Sequence, residues 1–356
     1  MLKEKGKIEH EIWSDKLTKV YGKGDDAVKA VTQIDLRVEP GIHGFLGPNG
    51  AGKTTTISML VGAISITEGR ATIRNEKAGS VAAKQLIGFL PQDPTFYDKM
   101  TGEEYLIYMA KLGGLRTKEA RKKAQELLAY FDLFDARARK IGNYSGGMKQ
   151  KIGIAAALIH EPKLLILDEP TANLDPIGRA DVIDKIKKLS DRVSVFVSSH
   201  ILSEIEQMCK KVTMIDQGNI VISDSIANIK RKFVGNVFVL DTNMNKQLLK
   251  PLEKNENVLK VWLDEEDERI RIVPKDQEKL QKMIPKWIID NNAILFGFHQ
   301  PELSLQDVFM EIMSKKEEGG PTESNSDLSL NDRKKSKKEK SEKKSKKITF
   351  KEGDSR

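Results

Sequence analysis

The sequence predicts an α/β protein built around a parallel sheet, and three stretches carry that expectation. Residues 42–46 form a short apolar run that enters a glycine-rich loop, and residues 54–63 beyond the loop keep helical spacing. Residues 164–167 and 193–199 are apolar or β-branched runs of strand length, which suits strands buried on both faces of a parallel sheet. Between those two runs, 177–189 reads as a helix, so strands and helices alternate.

The remaining elements follow in order. Val31, Ile34, Leu36 and Val38 give 30–38 a strand-like pattern, and Pro40-Gly41 marks a turn. Residues 94–160 are helical in pattern. There Thr101 and Glu104 have capping-box spacing, followed by Leu106, Met109 and Ala110, and 118–131 places Leu127, Leu128 and Phe131 on one face. Residues 212–216 and 219–223 form a strand pair joined at Gln217-Gly218. Strand-like runs at 237–240, 258–263 and 270–273, with a helix at 276–289, suggest a small α+β unit. The expected organisation is therefore a main domain at 11–225 with a helical part at about 94–160, a small α+β domain at 226–313, and a Lys-rich tail at 314–356. The tail holds too little apolar surface to fold and is expected to be disordered.

Composition narrows the classes. The chain has 356 residues, long enough for two compact domains, with 39% hydrophobic residues and 31% charged ones. A single cysteine, Cys209, excludes an internal disulfide, and its helix-like surroundings at 202–211 point to a plain core residue. No run of about 18 apolar residues occurs, and the polar start lacks a signal pattern, so a soluble, cytoplasmic protein is expected. The net charge of +8 is local: 333–347 holds ten basic and two acidic residues, a surplus that accounts for all of it.

Gly47, Pro48, Asn49, Gly50, Ala51, Gly52, Lys53 and Thr54 satisfy the pattern G-x-x-x-x-G-K-[ST] at each fixed position, and Thr55 follows in the helix. Glycines allow successive backbone N–H groups to face phosphates, and the helix that follows presents its positive end. Lys53 is expected to reach the β- and γ-phosphates, and the Thr54 hydroxyl to ligate Mg²⁺. The run 164–167 ends on Asp168 and Glu169, at the end of a parallel strand where ligands bind. Asp168 suits Mg²⁺, directly or through water, and Glu169 suits activation of an attacking water. Taken alone, an apolar strand ending in acids is as often a strand end meeting solvent; the phosphate loop gives the pair its meaning.

Asn143-Tyr-Ser145-Gly146-Gly147-Met-Lys-Gln150 resembles the signature sequence of ABC-type ATPases, and Gln150 stands 18 residues before Asp168, as in that family. Ser145 can cap the helix that starts there, and the glycines expose N–H groups to an anion. Other segments resemble the family's motifs in the same order. Gln92 in Phe89-Leu-Pro-Gln92 matches the Q-loop glutamine, Ala172-Asn-Leu-Asp175 the D-loop, and Ser198-Ser-His200 the H-loop. Tyr21 stands where the family has an aromatic that stacks on adenine, although a lone Tyr more often packs a core. The resemblance covers about 12–225, with small departures at Tyr144, Lys151 and Ala172-Asn173. It implies a P-loop NTPase fold with a RecA-like core sheet and a helical subdomain, an ATPase using ATP and Mg²⁺. It also implies that Gln92 contacts Mg²⁺ or the lytic water and that His200 contacts the γ-phosphate and Glu169. Ser145, Gly146, Gly147 and Asp175 would face the nucleotide of a second ATPase chain, the same or a paralogue, in a head-to-tail dimer.

Ser304-Leu-Gln-Asp-Val-Phe309 resembles the closing segment of drug-exporter ATP-binding subunits, which pair with separate ABC-2 type membrane subunits. The expected function is thus ATP-driven transport, with export favoured, through a multi-span permease, which would hold the chain peripherally on the inner face of the membrane. The rival is a soluble ABC ATPase acting on ribosomes or nucleic acid. Such proteins carry two ATPase modules or long coiled coils, and neither pattern occurs here. An inactive regulator is disfavoured because Lys53, Asp168, Glu169 and His200 are all present. The basic run at 333–347 suits anionic lipid or a merely solubilising role; without interleaved aromatics it suits nucleic acid less.

Overall fold

The computed structural model describes residues 10–233, 237–264, 267–300, 304–306 and 308–309. Along the chain the elements are β1 (Ile12–Tyr21), β2 (Val28–Ile34), β3 (Arg37–Val38), β4 (Ile42–Leu46), α1 (Lys53–Val61), β5 (Glu68–Ile73), β6 (Glu76–Lys77), α2 (Val81–Leu86), β7 (Ile87–Leu90), α3 (Gly102–Leu112), α4 (Thr117–Tyr130) and α5 (Gly146–Leu158). Then come β8 (Leu164–Asp168), α6 (Pro176–Leu189), β9 (Ser194–Ser199), α7 (Leu202–Met208), β10 (Lys211–Asp216), β11 (Asn219–Ser225) and α8 (Ile226–Phe233). The last group is β12 (Phe238–Thr242), α9 (Asn245–Glu253), β13 (Val258–Leu263), β14 (Ile270–Pro274), α10 (Gln277–Asp290) and β15 (Leu295–His299).

The central sheet runs in the order β11-β10-β4-β9-β8-β7. All its pairings are parallel except the edge hairpin β10-β11, which turns at Gln217 (φ 46°) and Gly218 (φ 76°). Two left-handed residues in succession give the turn whose twist matches the flanking strands. Period-two alternation explains the all-apolar strands. In β8, Leu165 and Leu167 point into one hydrophobic cluster, whereas Leu164 and Ile166 point into another on the opposite face. β9 does the same with Val195 and Val197 on one side and Phe196 on the other. Each such fully buried side chain contributes about 1.5–3 kcal/mol.

One face is covered by α3–α6, where Thr101 and Glu104 form the capping box their spacing predicts. Tyr144, the departure before the signature serine, is half of a matched pair: its hydroxyl donates to the Ala136 carbonyl at 2.9 Å, and a Cβ on Gly102 would lie 2.1 Å from it. Lys151 pairs with Asp181 at 2.5 Å, tying α5 to α6. The other face carries α1 and a sheet ordered β2-β1-β5-β6, with β3 on β1. The single strand expected at 30–38 is two strands, β2 and β3, which break at Asp35 and Leu36.

A third, antiparallel sheet, β13-β14-β12-β15, has its own core, in which Phe238, Leu240, Ile270 and Ile272 meet α9 and α10. The helix α9 and strand β15 have no counterpart among the sequence expectations. Pro251 interrupts the helical pattern of α9, and β15 exposes Leu295 and Phe296. Two segments expected in the 226–313 unit pack elsewhere. Ile226 and Ile229 of α8, with Leu305 and Val308 of the closing segment, join the main cluster, and the Leu305 amide donates to Glu206 Oε2 of α7 at 3.2 Å. The apolar faces of these short segments find more surface to cover there. The rest of that segment and the tail at 314–356 lie outside the described residues.

His43 lies buried in β4, with Nε2 bonded to Thr213 Oγ1 at 2.8 Å and Nδ1 without a partner among the described residues. Burial, reinforced by nearby Lys211, holds its pKa down to about 4 against an ordinary 6.5. The unfolded chain therefore binds this proton first. Stability from neutral His43 is complete above pH 6.5 and is lost as pH falls toward 4, by about 2 kcal/mol at pH 5. Urea unfolding of wild type and His43→Gln between pH 7.5 and 5 should show that much extra pH dependence in the wild type.

Candidate active site

The strand register builds the site. Leu46 of β4 lies opposite Ser199 of β9, and Ser198 lies opposite Asp168 of β8, so three strand ends meet at one level. The loop 47–52 leaves β4 there and bends back into α1. A Cβ on Gly47 would lie 2.2 Å from the Ile215 carbonyl, so the loop rests directly on β10. Gly52 has φ 105°, which an L-residue rarely adopts, and it caps α1. Lys53 is 5% exposed; its amine donates to the Gly47 carbonyl at 2.8 Å and the Pro48 carbonyl at 3.1 Å. The amine therefore lies folded over the loop, within reach of any phosphate held by the loop amides.

Asp168 is buried and accepts from Ser198 Oγ at 2.5 Å and from the Thr54 hydroxyl. Burial raises its carboxyl above the ordinary range, and the hydrogen bonds and Lys53 pull against that. Glu169 follows in a left-handed conformation, φ 50°, with its amide donating to Ser198 Oγ at 2.9 Å. That turn lifts its carboxylate between two nitrogens: Lys53 Nζ is 3.3 Å from Oε1, and His200 Nδ1 is 3.0 Å from Oε2. Thr54 and Asp168 present paired oxygen donors of the type Mg²⁺ prefers, beside a loop suited to phosphates, so the donor set fits that ion.

Beside these groups lies a cavity of about 380 Å³ lined by Asn49, Gln92, Glu169, Ala172, Asn173, Arg179, His200 and Ile201. Gln92, Glu169 and His200, distant in sequence, thus share one wall. Tyr21 ends β1 exposed rather than packed in a core, and it pairs with Val28, two residues before the Ala30 carbonyl that abuts Gly52. Ser145, Gly146, Gly147 and Asp175 do not line the cavity. Ser145 caps α5 and Asp175 caps α6 through Gly178 N at 3.0 Å, both solvent-exposed. The signature nonetheless adjoins the 172–175 loop, since a Cβ on Gly146 would lie 3.9 Å from the Asn173 carbonyl.

Sequence reasoning missed five residues here. Ser198 ties both acids to β9, Arg179 lines the cavity, and Thr171, Ser199 and Glu204 form a buried hydrogen-bonded group below it. Only Ser198 and Ser199 carried a signal, as paired hydroxyls just before His200.

The family model described as ABC transporter matches residues 31–172. An uncharacterized ABC transporter ATP-binding protein of Bacillus subtilis, YxlF, is 37% identical over 80% of this chain and 95% of its own length. The chain belongs to the ABC transporter ATP-binding proteins. The linearmycin resistance ATP-binding protein LnrL of Bacillus subtilis is 32% identical over 85% of this chain and 98% of its own. The bacitracin transport ATP-binding protein BcrA of Bacillus licheniformis is 35% identical over 83% and 95%. Among solved structures, an ATP-binding subunit of an ABC transporter matches with a TM-score of 0.56 and 26% identity, covering 62% of this chain and 92% of that one. The dimeric post-hydrolysis structure of the cassette MJ0796 bound to ADP and Pi shares the fold at TM-score 0.56 and 24% identity, over 60% and 98%. As a member of this family the chain binds and hydrolyses ATP to serve transport. Among the described residues, no helix of this ABC protein is long and apolar enough to cross a membrane.

The approach of Gly47 to β10 gives a direct check. Gly47→Ala forces the loop away from the Ile215 carbonyl at a cost of about 1–3 kcal/mol. Affinity for a fluorescent ATP analogue should fall at least about fivefold, with the helix content by circular dichroism unchanged.

Proposed function

We propose that this chain is one half of the ATP-driven motor of an exporter, with Glu169 as the base that activates water. The observation that supports this most is the Glu169 carboxylate held between Lys53 and His200, 3.3 and 3.0 Å away, at the mouth of a cavity that Gln92 also lines. The Lys53 amine cannot serve Glu169 and the β- and γ-phosphates together. When ATP enters, Lys53 turns to the phosphates, and Glu169 is left with His200 and an oxygen free to take a proton from water. His200 keeps the carboxylate aimed and reaches the γ-phosphate. The loop amides of Asn49, Gly50, Ala51 and Gly52 cradle the phosphates, with Thr55 beside them, and Tyr21 stacks on adenine. Thr54 and Asp168, with Gln92 nearby, would hold Mg²⁺, which when bound neutralises charge between the phosphates.

Ser145, Gly146 and Asp175 are exposed and Gly147 is half-buried, all of them outside the chain's own cavity, which suits contact with ATP bound to a second ATPase chain. The permease would seat in a groove of about 800 Å³ lined by Phe89, Pro91, Phe96, Tyr105, Met109 and Leu112. Gln92 follows Pro91 directly, so pressure in the groove reaches the cavity through one peptide. The relatives named for bacitracin transport and linearmycin resistance favour antibiotic-like cargo, and the permease would keep the chain on the inner face of the membrane. The main domain of this reading spans 11–225 together with 226–233 and 304–309; the basic run at 333–347 would add contact with anionic lipid.

Glu169→Gln should bind ATP and lower turnover at least about a hundredfold, the scale of a lost general base. With ATP the variant should dimerise by light scattering, and adding Ser145→Arg should return it to monomer. Near-normal turnover in Glu169→Gln would remove the base from this role.

A further inference from the structure

We infer that Glu204 is a positioning residue for hydrolysis, tying the loop that leaves Glu169 to the loop that carries His200. The inference deepens the reading of Glu169 and His200 as the hydrolytic pair and rests on it. Glu204 lies in α7 and is 4% exposed. Its Oε2 accepts two hydroxyl protons, from Thr171 Oγ1 at 2.6 Å and from Ser199 Oγ at 3.0 Å. Thr171 stands two residues beyond Glu169, and Ser199 immediately precedes His200. Since His200 Nδ1 is 3.0 Å from Glu169 Oε2, the contacts close a ring: Glu169, Thr171, Glu204, Ser199, His200 and back to Glu169.

Two features argue that this ring does more than fill space. The other oxygen of Glu204, Oε1, is buried without a hydrogen-bond partner, and no ion pair reaches the carboxylate among the described residues. A buried carboxylate left half-satisfied is costly, and an apolar side chain of similar volume would pack the position at less expense. The His200 side chain, by contrast, is 41% exposed and makes its one hydrogen bond among the described residues to Glu169. Packing does not fix that ring, so its aim depends on its backbone, and the backbone is anchored next door through Ser199. Ser199 Oγ also accepts the Ile201 amide at 2.9 Å, gripping the loop on both sides of His200. On the other arm, Thr171 opens the 172–175 loop, whose Asn173 adjoins the signature glycines. A shift of that loop is therefore felt at Glu204 and passed to His200.

The test compares Glu204→Ala, Glu204→Gln, His200→Ala and the double Ala variant in full-length protein. It measures kcat and KM for ATP, Kd for a fluorescent ATP analogue, and Tm. Glu204→Ala should lower kcat about tenfold, the effect of a misaimed catalytic group, with KM and Kd within about twofold. Glu204→Gln, whose carbonyl can accept both hydroxyls, should recover most of the loss. Because Glu204 acts through His200, the double variant should be no slower than His200→Ala. Multiplying losses, an unchanged kcat in Glu204→Ala, or a kcat loss that tracks Kd and Tm would each sink the inference. A fully active His200→Ala would instead overturn the hydrolytic-pair reading, and this inference with it.

Discussion

The site depends on the parallel register of β4, β9 and β8, which brings the buried ends of three strands to one level. Hydrophobic alternation sets that register, because sliding any strand by one residue would exchange the side chains that enter the two cores. Leu165 and Leu167 would then trade places with Leu164 and Ile166, and several buried contacts would be lost at once. The same register holds Asp168 opposite Ser198 and Leu46 opposite Ser199. The geometry of the candidate site is thus fixed by a core that lies outside it.

Charge is the second constraint. Lys53, Asp168 and Glu169 are all nearly buried, with Lys53 only 3.3 Å from Glu169, where unbalanced charge is costly. The chain balances them locally. Lys53 meets Glu169, Asp168 takes hydroxyl hydrogen bonds, and Ser198 donates to one acid while accepting from the backbone of the other. This arrangement holds Glu169 in a left-handed conformation that a side chain rarely adopts. Strain and burial are concentrated where a phosphate and its metal would enter, and the positive charge of the metal would offset the negative charge gathered there.

The outer parts follow different rules. The groove at Phe96, Tyr105 and Met109 is lined mostly by apolar residues and the cavity around Glu169 mostly by polar ones, and the two meet at Pro91 and Gln92. The third sheet has a core of its own, while α8 and residues of the closing segment join the main cluster and meet Glu206 of α7. The small unit is therefore bracketed by two segments that belong energetically to the ATPase core.

The sequence by itself determined the chemistry that depends on contiguous residues. The phosphate loop, the Asp168-Glu169 strand end, the Ser145 cap and the Thr101–Glu104 capping box are each decided within a few residues, so local pattern reveals them. The bonding partners of Ser198 and Glu204 were not legible in this way. They lie 30 and 33 residues away, at Asp168 and Thr171, and neither the hydroxyl pair before His200 nor a helical glutamate shows locally what it will meet. The placement of Ile229, Leu305 and Val308 was equally hidden, because an amphipathic segment shows that it must cover something without showing what. Which hydroxyl meets which carboxylate is decided by strand register and helix packing, and those are set by apolar contacts summed over the whole core. Only the tertiary structure performs that sum.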